Sequence, residues 1–266
     1  MGKFLIVNAD DFGASKQISE GIIKAYRDGI VTATSVVVCG EHFDEGISLL
    51  KKEDIDVGLH LTIVGGERPL VGPVEGLVNS EGVFLKSFRD VIPRIITGRY
   101  NREALRKELF EQAGRLKDSG VDITHIDSHQ HLHILPAISK IVIDIADHFN
   151  IRWIRLPRPG SLSIKGAGMN VFSGIMTRRL VKRRLRFTDY FIGFESTGGL
   201  DEPMLLSVIR NLKAGITELM VHPGYDASAK YDWKFDWEGE LDALCSARAA
   251  DLIKGSDVTL IRYSDL

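Results

Sequence analysis

Cysteine is almost absent. Cys39 and Cys245 are the two in the chain, too few and too scattered for a disulfide framework or a cysteine-built metal site. Long apolar runs are absent as well. The first, Phe4–Val7, gives way at once to polar Asn8–Asp11, too short for a signal peptide or a membrane span. No later stretch approaches the roughly 18 apolar residues that a span needs, so a reducing cytoplasm is the expected compartment. A surplus of either charge is also lacking: 34 basic and 36 acidic residues leave a formal net charge of −2. Global basicity is thereby excluded as a ground for nucleic-acid binding. No glycine-rich G-x-G-x-x-G turn follows the first strand-like run, which argues against a dinucleotide-binding open sheet. Tandem repeats and low-complexity tracts are missing too.

What remains is a chain of 266 residues, 44% hydrophobic and 26% charged, long enough to bury a large core. Barrels of α/β type commonly run to about 250 residues as one unit, so residues 1–266 are expected to form one domain. Short β-branched runs alternate with longer segments of helical period, the signature of βα units. Strands are expected at Phe4–Asn8, Thr34–Val38, Asp56–His60, Ile123–Asp127, Arg152–Leu156, Asp189–Phe194, Glu218–His222 and Thr259–Tyr263. Helices are expected at Lys16–Asp28, Phe43–Lys51, Phe88–Thr97, Arg102–Asp118, Pro136–His148, Val171–Leu185, Pro203–Leu212 and Glu238–Gly255. Seven or eight such steps favour a closed or nearly closed barrel. Two segments rich in turn residues, Leu61–Gly82 and Arg158–Gly168, each follow a strand. In a barrel both would lie on the face that carries active sites.

Residues suited to chemistry recur at strand ends. Asp10 and Asp11 follow the first strand, His60 ends the third, and Asp127 and His129 lie at the end of the fourth. Arg155 closes the fifth and His222 the seventh. The C-terminal strand ends of a parallel barrel form one mouth, so these residues can converge although far apart in sequence. Two adjacent carboxylates after a buried strand are costly without a partner or a cation. They could cap the helix starting near Lys16, a job open equally to Ser15. Alternatively, one binds a metal while the other takes a proton from water.

The segment His125-Ile126-Asp127-Ser128-His129-Gln130-His131-Leu132-His133 holds four of the eight histidines. Extended, its odd positions share a face; curled into a helix after Ser128, His129 and His133 become neighbours one turn apart. Asp127 is better placed to orient an imidazole than to bind metal itself. His222, followed by Pro223-Gly224, is left at a strand rim and suits a general acid that protonates a leaving amine. An aspartate and two histidines on one divalent ion leave room for water and a substrate oxygen, as in hydrolytic sites. Mixed nitrogen and oxygen ligands without thiolate suit Zn²⁺, Mn²⁺, Co²⁺ or Ni²⁺, with Mg²⁺ also open.

These same residues carry a resemblance. Asn8-Ala9-Asp10-Asp11-Phe12-Gly13, Gly58-Leu59-His60, His125-Ile126-Asp127-Ser128-His129, Arg155-Leu156-Pro157-Arg158 and His222-Pro223-Gly224 together look like the YdjC/ChbG-type carbohydrate deacetylases. The likeness runs through nearly the whole chain. It implies a distorted TIM-like barrel with one divalent metal, Zn²⁺ or Mg²⁺ foremost, and removal of acetyl groups from sugars containing N-acetylglucosamine. Carried over by position, Asp11, His60 and His129 would be the ligands, Asp10 the general base and His222 the general acid. Arg155 would pair with Asp10 or reach a substrate hydroxyl. His133 is the rival of His60 as third ligand. Gln130 stands where relatives often carry a histidine. Thr188–Phe194 with Gly198-Gly199-Leu200 more closely resembles the hopanoid-associated HpnK branch, which implies a lipid-linked N-acetylglucosaminyl substrate.

Six cations fall between Arg178 and Arg186. A solvated helix face is the ordinary reading, and a lipid-linked substrate gives weight to a second, contact with an anionic membrane surface. Nucleic acid is not an expected partner; a homodimer closing the barrel mouth is a further expectation. Two other functions compete: another barrel metal hydrolase, such as an amidohydrolase or phosphoesterase, and a sugar-binding relative without catalysis. The former typically draws a His-x-His pair from the first strand, where this chain has two carboxylates.

Overall fold

A computed structural model describes residues 2–158 and 164–266, with nothing to say of side chains 164–167. Eight strands and nine α-helices are seen among the described residues: β1 Lys3–Phe12, α1 Lys16–Arg27, β2 Ala33–Val36, α2 Phe43–Leu50, β3 Asp56–Leu61, α3 Phe88–Thr97, α4 Arg102–Asp118, β4 Ile123–Ser128, α5 Pro136–Phe149, β5 Trp153–Ile154, α6 Ile164–Arg183, β6 Tyr190–Ile192, α7 Glu202–Arg210, β7 Gly215–Val221, α8 Trp237–Leu244, α9 Ala247–Lys254 and β8 Val258–Leu260. All pairings between these strands are parallel, in the order β5-β4-β3-β2-β1-β7-β6. The sheet curls until a single bridge, Trp153 to Arg186, spans the gap between β5 and the approach to β6. The expected distorted, TIM-like barrel is therefore present.

The distortion has a location. β8 does not stand as a full eighth stave. It pairs with Lys3–Leu5 at the start of β1, whereas β2 pairs with Asn8–Phe12 farther along. The chain end then turns inward and buries Tyr263 with Ile6, Ala33 and Trp153 in a small apolar cluster separate from the main core. Alternation along the strands explains what stands above it. Leu5, Val7 and Ala9 join the main core, while Ile6, Asn8 and Asp10 take the other face. Apolar Ile6 thus gives way to polar Asn8 and acidic Asp10 in passing up the strand.

Most expected elements recur within a few residues, with two corrections. The segment Glu238–Gly255, expected as one helix, is two: α8 ends at Leu244, and Ser246 caps α9 by accepting from the Arg248 and Ala249 amides. The expected strand Thr259–Tyr263 ends at Leu260, since Tyr263 enters a 3-10 turn. Of the two turn-rich segments, residues 159–163 of Arg158–Gly168 lie outside the described residues. Leu61–Gly82 passes beside the C-terminal strand ends, where Gly65 reaches His129, and is tied down by α4. There the fully buried Glu108 accepts the Leu70 and Val71 amides at 3.0 Å each, and Gln112 bonds both the amide and the carbonyl of Thr62.

The basic run is partly consumed inside the fold. Arg179 donates to the Pro136 carbonyl and to Ser139, Arg183 pairs with Asp147 at 3.0 Å, and Arg186 lies over the Trp153 ring at 4.5 Å. Arg179 alone of the six is half-buried; Arg178, Lys182, Arg183, Arg184 and Arg186 are all exposed, two of them with the partners just named. No helix among the described residues is long and apolar enough to cross a membrane.

Because Glu108 satisfies two amides of the loop after β3, Glu108→Ala should lower the unfolding free energy by about 2–4 kcal/mol. Urea denaturation measures this. A loss below about 0.5 kcal/mol would show that water replaces the carboxylate and that the loop is not anchored there.

Candidate active site

Two neighbouring residues of a regular strand point to opposite faces, so Asp10 and Asp11 could not serve one site without a break in the strand. The break is a register shift between Ala9 and Phe12, with Asp11 at φ 70°. Aspartate tolerates this left-handed conformation better than most residues. The two carboxylates are freed from capping duty because Ser15 caps α1, its hydroxyl accepting the Ile18 amide. Both stand within β1 rather than after it.

Asp10 looks inward at Arg155. The guanidinium is 1% exposed and grips Asp10 through two bonds of 2.6 and 2.7 Å. It also pairs with Asp127 at 2.8 Å and with Glu218 at 2.6 Å. Asn8 donates to Asp10 at 2.8 Å and to Ser35, and Ser35 donates to the second oxygen of Asp127 at 2.7 Å. Burial would lower the Arg155 pKa, but Asp10, Asp127 and Glu218 outweigh it and hold the group firmly protonated.

Asp11 takes a different set. Its Oδ1 lies 2.9 Å from His129 Nδ1 and 3.3 Å from His60 Nε2, while the other nitrogen of His60 donates to Asp127 at 2.7 Å. Burial works to raise the Asp11 pKa, yet His129 and His60 hold it well below the usual carboxylate range. Burial likewise opposes a charge on His60, but Asp127, Asp11 and Asp10 push it up to about 10.

Whether this trio fits a divalent ion can be judged on three observations. One ligand atom from each of Asp11, His60 and His129 lies within 4.8 Å of the others. His129 Nδ1 and His60 Nε2 both approach the same oxygen of Asp11. Asp127, holding His60 by Nδ1, leaves Nε2 directed at the centre, the carboxylate–histidine arrangement that orients metal-bound imidazoles. The residues fit.

The histidine cluster divides its labour. Strand β4 supplies His125, which lies below the site between Ser35 and Thr124 and stacks on Tyr263 at 4.1 Å. Its ring fits because position 58 is glycine; a Cβ there would stand 2.2 Å from His125 Nε2. Burial, with Arg155 and His60 nearby, drives His125 down to about 3, against the pull of Asp127. After Ser128 the chain enters a 3-10 turn, His129–Ile134, kinked by left-handed Gln130 and His131. His133 turns away from the trio: its Nδ1 meets the Ser128 hydroxyl at 2.7 Å and its Nε2 the Arg155 carbonyl at 3.0 Å. Both nitrogens are occupied, which sets it apart from the ligand position it rivalled. Gln130 instead accepts the Phe88 amide at 2.9 Å and ties the turn to α3.

Asp10, His60, His129 and His222 line one cavity of about 860 Å³. Asp11 lies behind them. His222 is held by its backbone, whose amide donates to buried Glu240 at 2.6 Å, and its Nδ1 has no protein partner. Phe235 packs against the His222 ring at 5.0 Å and Trp233 against His129 at 4.9 Å, with Tyr231 stacked behind Trp233 at 4.1 Å. The alternation Tyr231, Trp233, Phe235, Trp237 is legible as a period of two, a signal unused in the sequence reading. So is Glu218, a lone acid in a strand otherwise apolar from Leu219 to Val221, which must find a buried partner. Asn8, Ser35 and Glu240 carried no comparable sign.

A family model described as YdjC-like protein matches residues 4–255. A carbohydrate deacetylase of Clostridium beijerinckii is 31% identical over 267 residues, covering 98% of this chain and 99% of its own length. A carbohydrate deacetylase of Mus musculus is 31% identical over 246 residues, 83% of this chain and 78% of its own. Among solved structures, an Enterococcus faecalis V583 protein named for cellobiose-phosphate cleavage superposes with a TM-score of 0.82 at 22% identity, covering 100% of this chain and 99% of its own. The Xyl-CE4 domain of a xylanase from a termite hindgut metagenome does so at 0.52 and 10%, covering 100% and 89%. At those identities the two structures speak for the fold alone.

Free imidazole titrates near 6.5, and His60 in the metal-free fold near 10. A raised pKa stabilises the fold fully below about 6.5 and ceases to do so as pH climbs through about 10. Metal-free protein should therefore lose stability between pH 7 and 10, and metal, displacing that proton, should flatten the slope. Urea titrations across the range check this; stability that rises with pH in the metal-free protein would contradict it.

Proposed function

The chain belongs to the YdjC-like protein family, and on that premise we propose that it removes the acetyl group from an N-acetylated sugar by hydrolysis of the amide C–N bond. The observation that carries this reading is the convergence on one cavity of Asp10, held by Arg155 and standing outside the trio, of His60 and His129 with Asp11 behind them, and of a separate histidine, His222. Asp11, His60 and His129 would hold a divalent ion, which supplies polarisation of the amide carbonyl and acidification of water. The residues of the chain do the rest.

Asp10 takes the proton of the attacking water as its oxygen bonds to the acetyl carbon. Arg155 and Asn8 fix the carboxylate so that its remaining lone pairs face the cavity. The guanidinium is also the countercharge to Asp10 where water is scarce. As the C–N bond breaks, His222 delivers a proton to the departing nitrogen, and acetate and the amine are the products. His222 can do so because its side chain is bound to no ligand group; its anchor, Glu240, holds the backbone and leaves the ring free. Trp233 and Phe235 fix the planes of His129 and His222.

The alternatives fare less well on the same residues. A metal site built from the first strand's carboxylate departs from the His-x-His start of amidohydrolases. A binding protein has no need of Asp10 and His222 beside a metal-fitting trio in one cavity. The sugar's carrier has its own support: Ile92, Leu132, Ile134, Leu135, Met169 and Phe172 make one wall of the cavity apolar. A free oligosaccharide would leave that wall wet, so an N-acetyl sugar bearing an apolar aglycone fits better.

Asp11→Ala should lose bound metal and acetate release together, while Asp10→Asn should keep the metal and lose about 10³-fold or more in turnover. Metal content by elemental analysis and acetate release on an N-acetylglucosamine oligomer and an alkyl N-acetylglucosaminide make the comparison. Full activity in Asp10→Asn removes the base assignment. Preference for the oligomer over the alkyl glycoside removes the apolar aglycone.

A further inference from the structure

The 3-10 turn after β4 places a third kind of histidine in the cavity, one that the chemistry above leaves unused. His131 is 7% exposed, lines the cavity wall, and its Nδ1 is buried without a hydrogen-bond partner. Leaving such an atom unpaired costs about 1–3 kcal/mol, and folded proteins rarely tolerate it where no ligand completes the bond. The backbone bears a second cost, since Gln130 and His131 are both left-handed, at φ 53° and 57°, without being glycine. Gln130 secures that geometry through the Phe88 amide, and the ring is set by Phe191 edge-on at 5.5 Å and by Phe194 at 5.9 Å. An unpaired, rigidly aimed imidazole is the form a recognition group takes.

Its place narrows what it can recognise. Phe191 meets the Arg155 guanidinium at 5.6 Å and His131 at 5.5 Å, so His131 stands one aromatic ring away from the Arg155–Asp10 pair. It is followed in sequence by Leu132 and Ile134 of the apolar wall. A neutral imidazole offers one donor and one acceptor, the same pair that a hydroxyl offers in return. We propose that His131 is a specificity-determining residue that hydrogen-bonds the sugar hydroxyl on the ring carbon next to the one bearing the acetamido group. The inference rests on the deacetylase reading for the identity of the sugar. It explains how a cavity with an apolar wall orients a sugar: the amide is held at the trio, and the neighbouring hydroxyl at His131.

The test is calorimetric titration of metal-loaded protein carrying Asp10→Asn, which blocks turnover, with an N-acetylglucosamine trimer and with the trimer lacking the 3-hydroxyls. His131→Phe keeps the aromatic packing and removes the hydrogen bond; His131→Gln restores polar contact. For the trimer, His131→Phe should weaken binding about 10- to 100-fold, with metal content and melting temperature unchanged, and His131→Gln should recover part of it. For the deoxy trimer the phenylalanine substitution should change nothing further. Unchanged trimer binding in His131→Phe overturns the proposal, as does an equal loss on both ligands, which marks a packing role. Trimer binding without acetate release by the unsubstituted protein defeats the deacetylase reading and leaves the His131 result standing. Failure of the Asp10→Asn protein to bind the trimer overturns both.

Discussion

The interior of the barrel buries four carboxylates, Asp10, Asp11, Asp127 and Glu218, against one guanidinium and the imidazolium of His60. Excess negative charge in a place with little water is costly, and the fold answers by distributing Arg155 over three acids at once. What Arg155 does not reach is Asp11. That carboxylate is left to two histidines, one of which keeps an unpaired nitrogen. A divalent cation held by Asp11, His60 and His129 would offset this imbalance and leave Arg155 to its three acids. Glu218 is pushed upward by burial against the pull of Arg155, a sign of how little further negative charge the interior can accept.

From that constraint the local irregularities acquire reasons. The break in β1 brings the two neighbouring carboxylates to one site, one facing Arg155 and the other the histidines. Glycine at 58 admits the His125 ring beneath the site, and glycine at 65, at φ 106°, lets the loop after β3 pass within contact of His129, where a Cβ would stand 3.0 Å from the ring. Tyr263 closes the lower end and stacks on His125. Polar groups thus rest on an apolar floor and beside a tied-down loop, which keeps competing water out and strengthens each charge interaction inside.

Much of this was legible in the sequence, for a physical reason. A parallel barrel buries both faces of its strands, so β-branched runs are easily seen, and its reactive residues gather at strand ends, where chemistry-bearing side chains interrupt those runs. Asp10, His60, Asp127, His129, Arg155 and His222 were found that way. The geometry that separates them was only half legible: an extended segment would have put the odd positions from His125 to His133 on one face and a helix after Ser128 would have paired His129 with His133, whereas the 3-10 turn that forms there, kinked at left-handed Gln130 and His131, sends each to a different task. The split at Ser246 and the inward turn of Tyr263 escaped because short turns leave faint periodic signals. Glu108 and Glu240 escaped because a buried acid with backbone partners looks, in sequence, like any surface acid.

The account stands on a divalent ion at Asp11, His60 and His129 driving hydrolysis of an N-acetyl group. Acetate release from N-acetylglucosamine oligomers and glycosides, followed before chelation, after it, and after return of Zn²⁺ or Mg²⁺, tests this most directly. Release that stops with the chelator and resumes with metal is the expected result. Release that continues undiminished in protein shown to be free of metal would contradict the account.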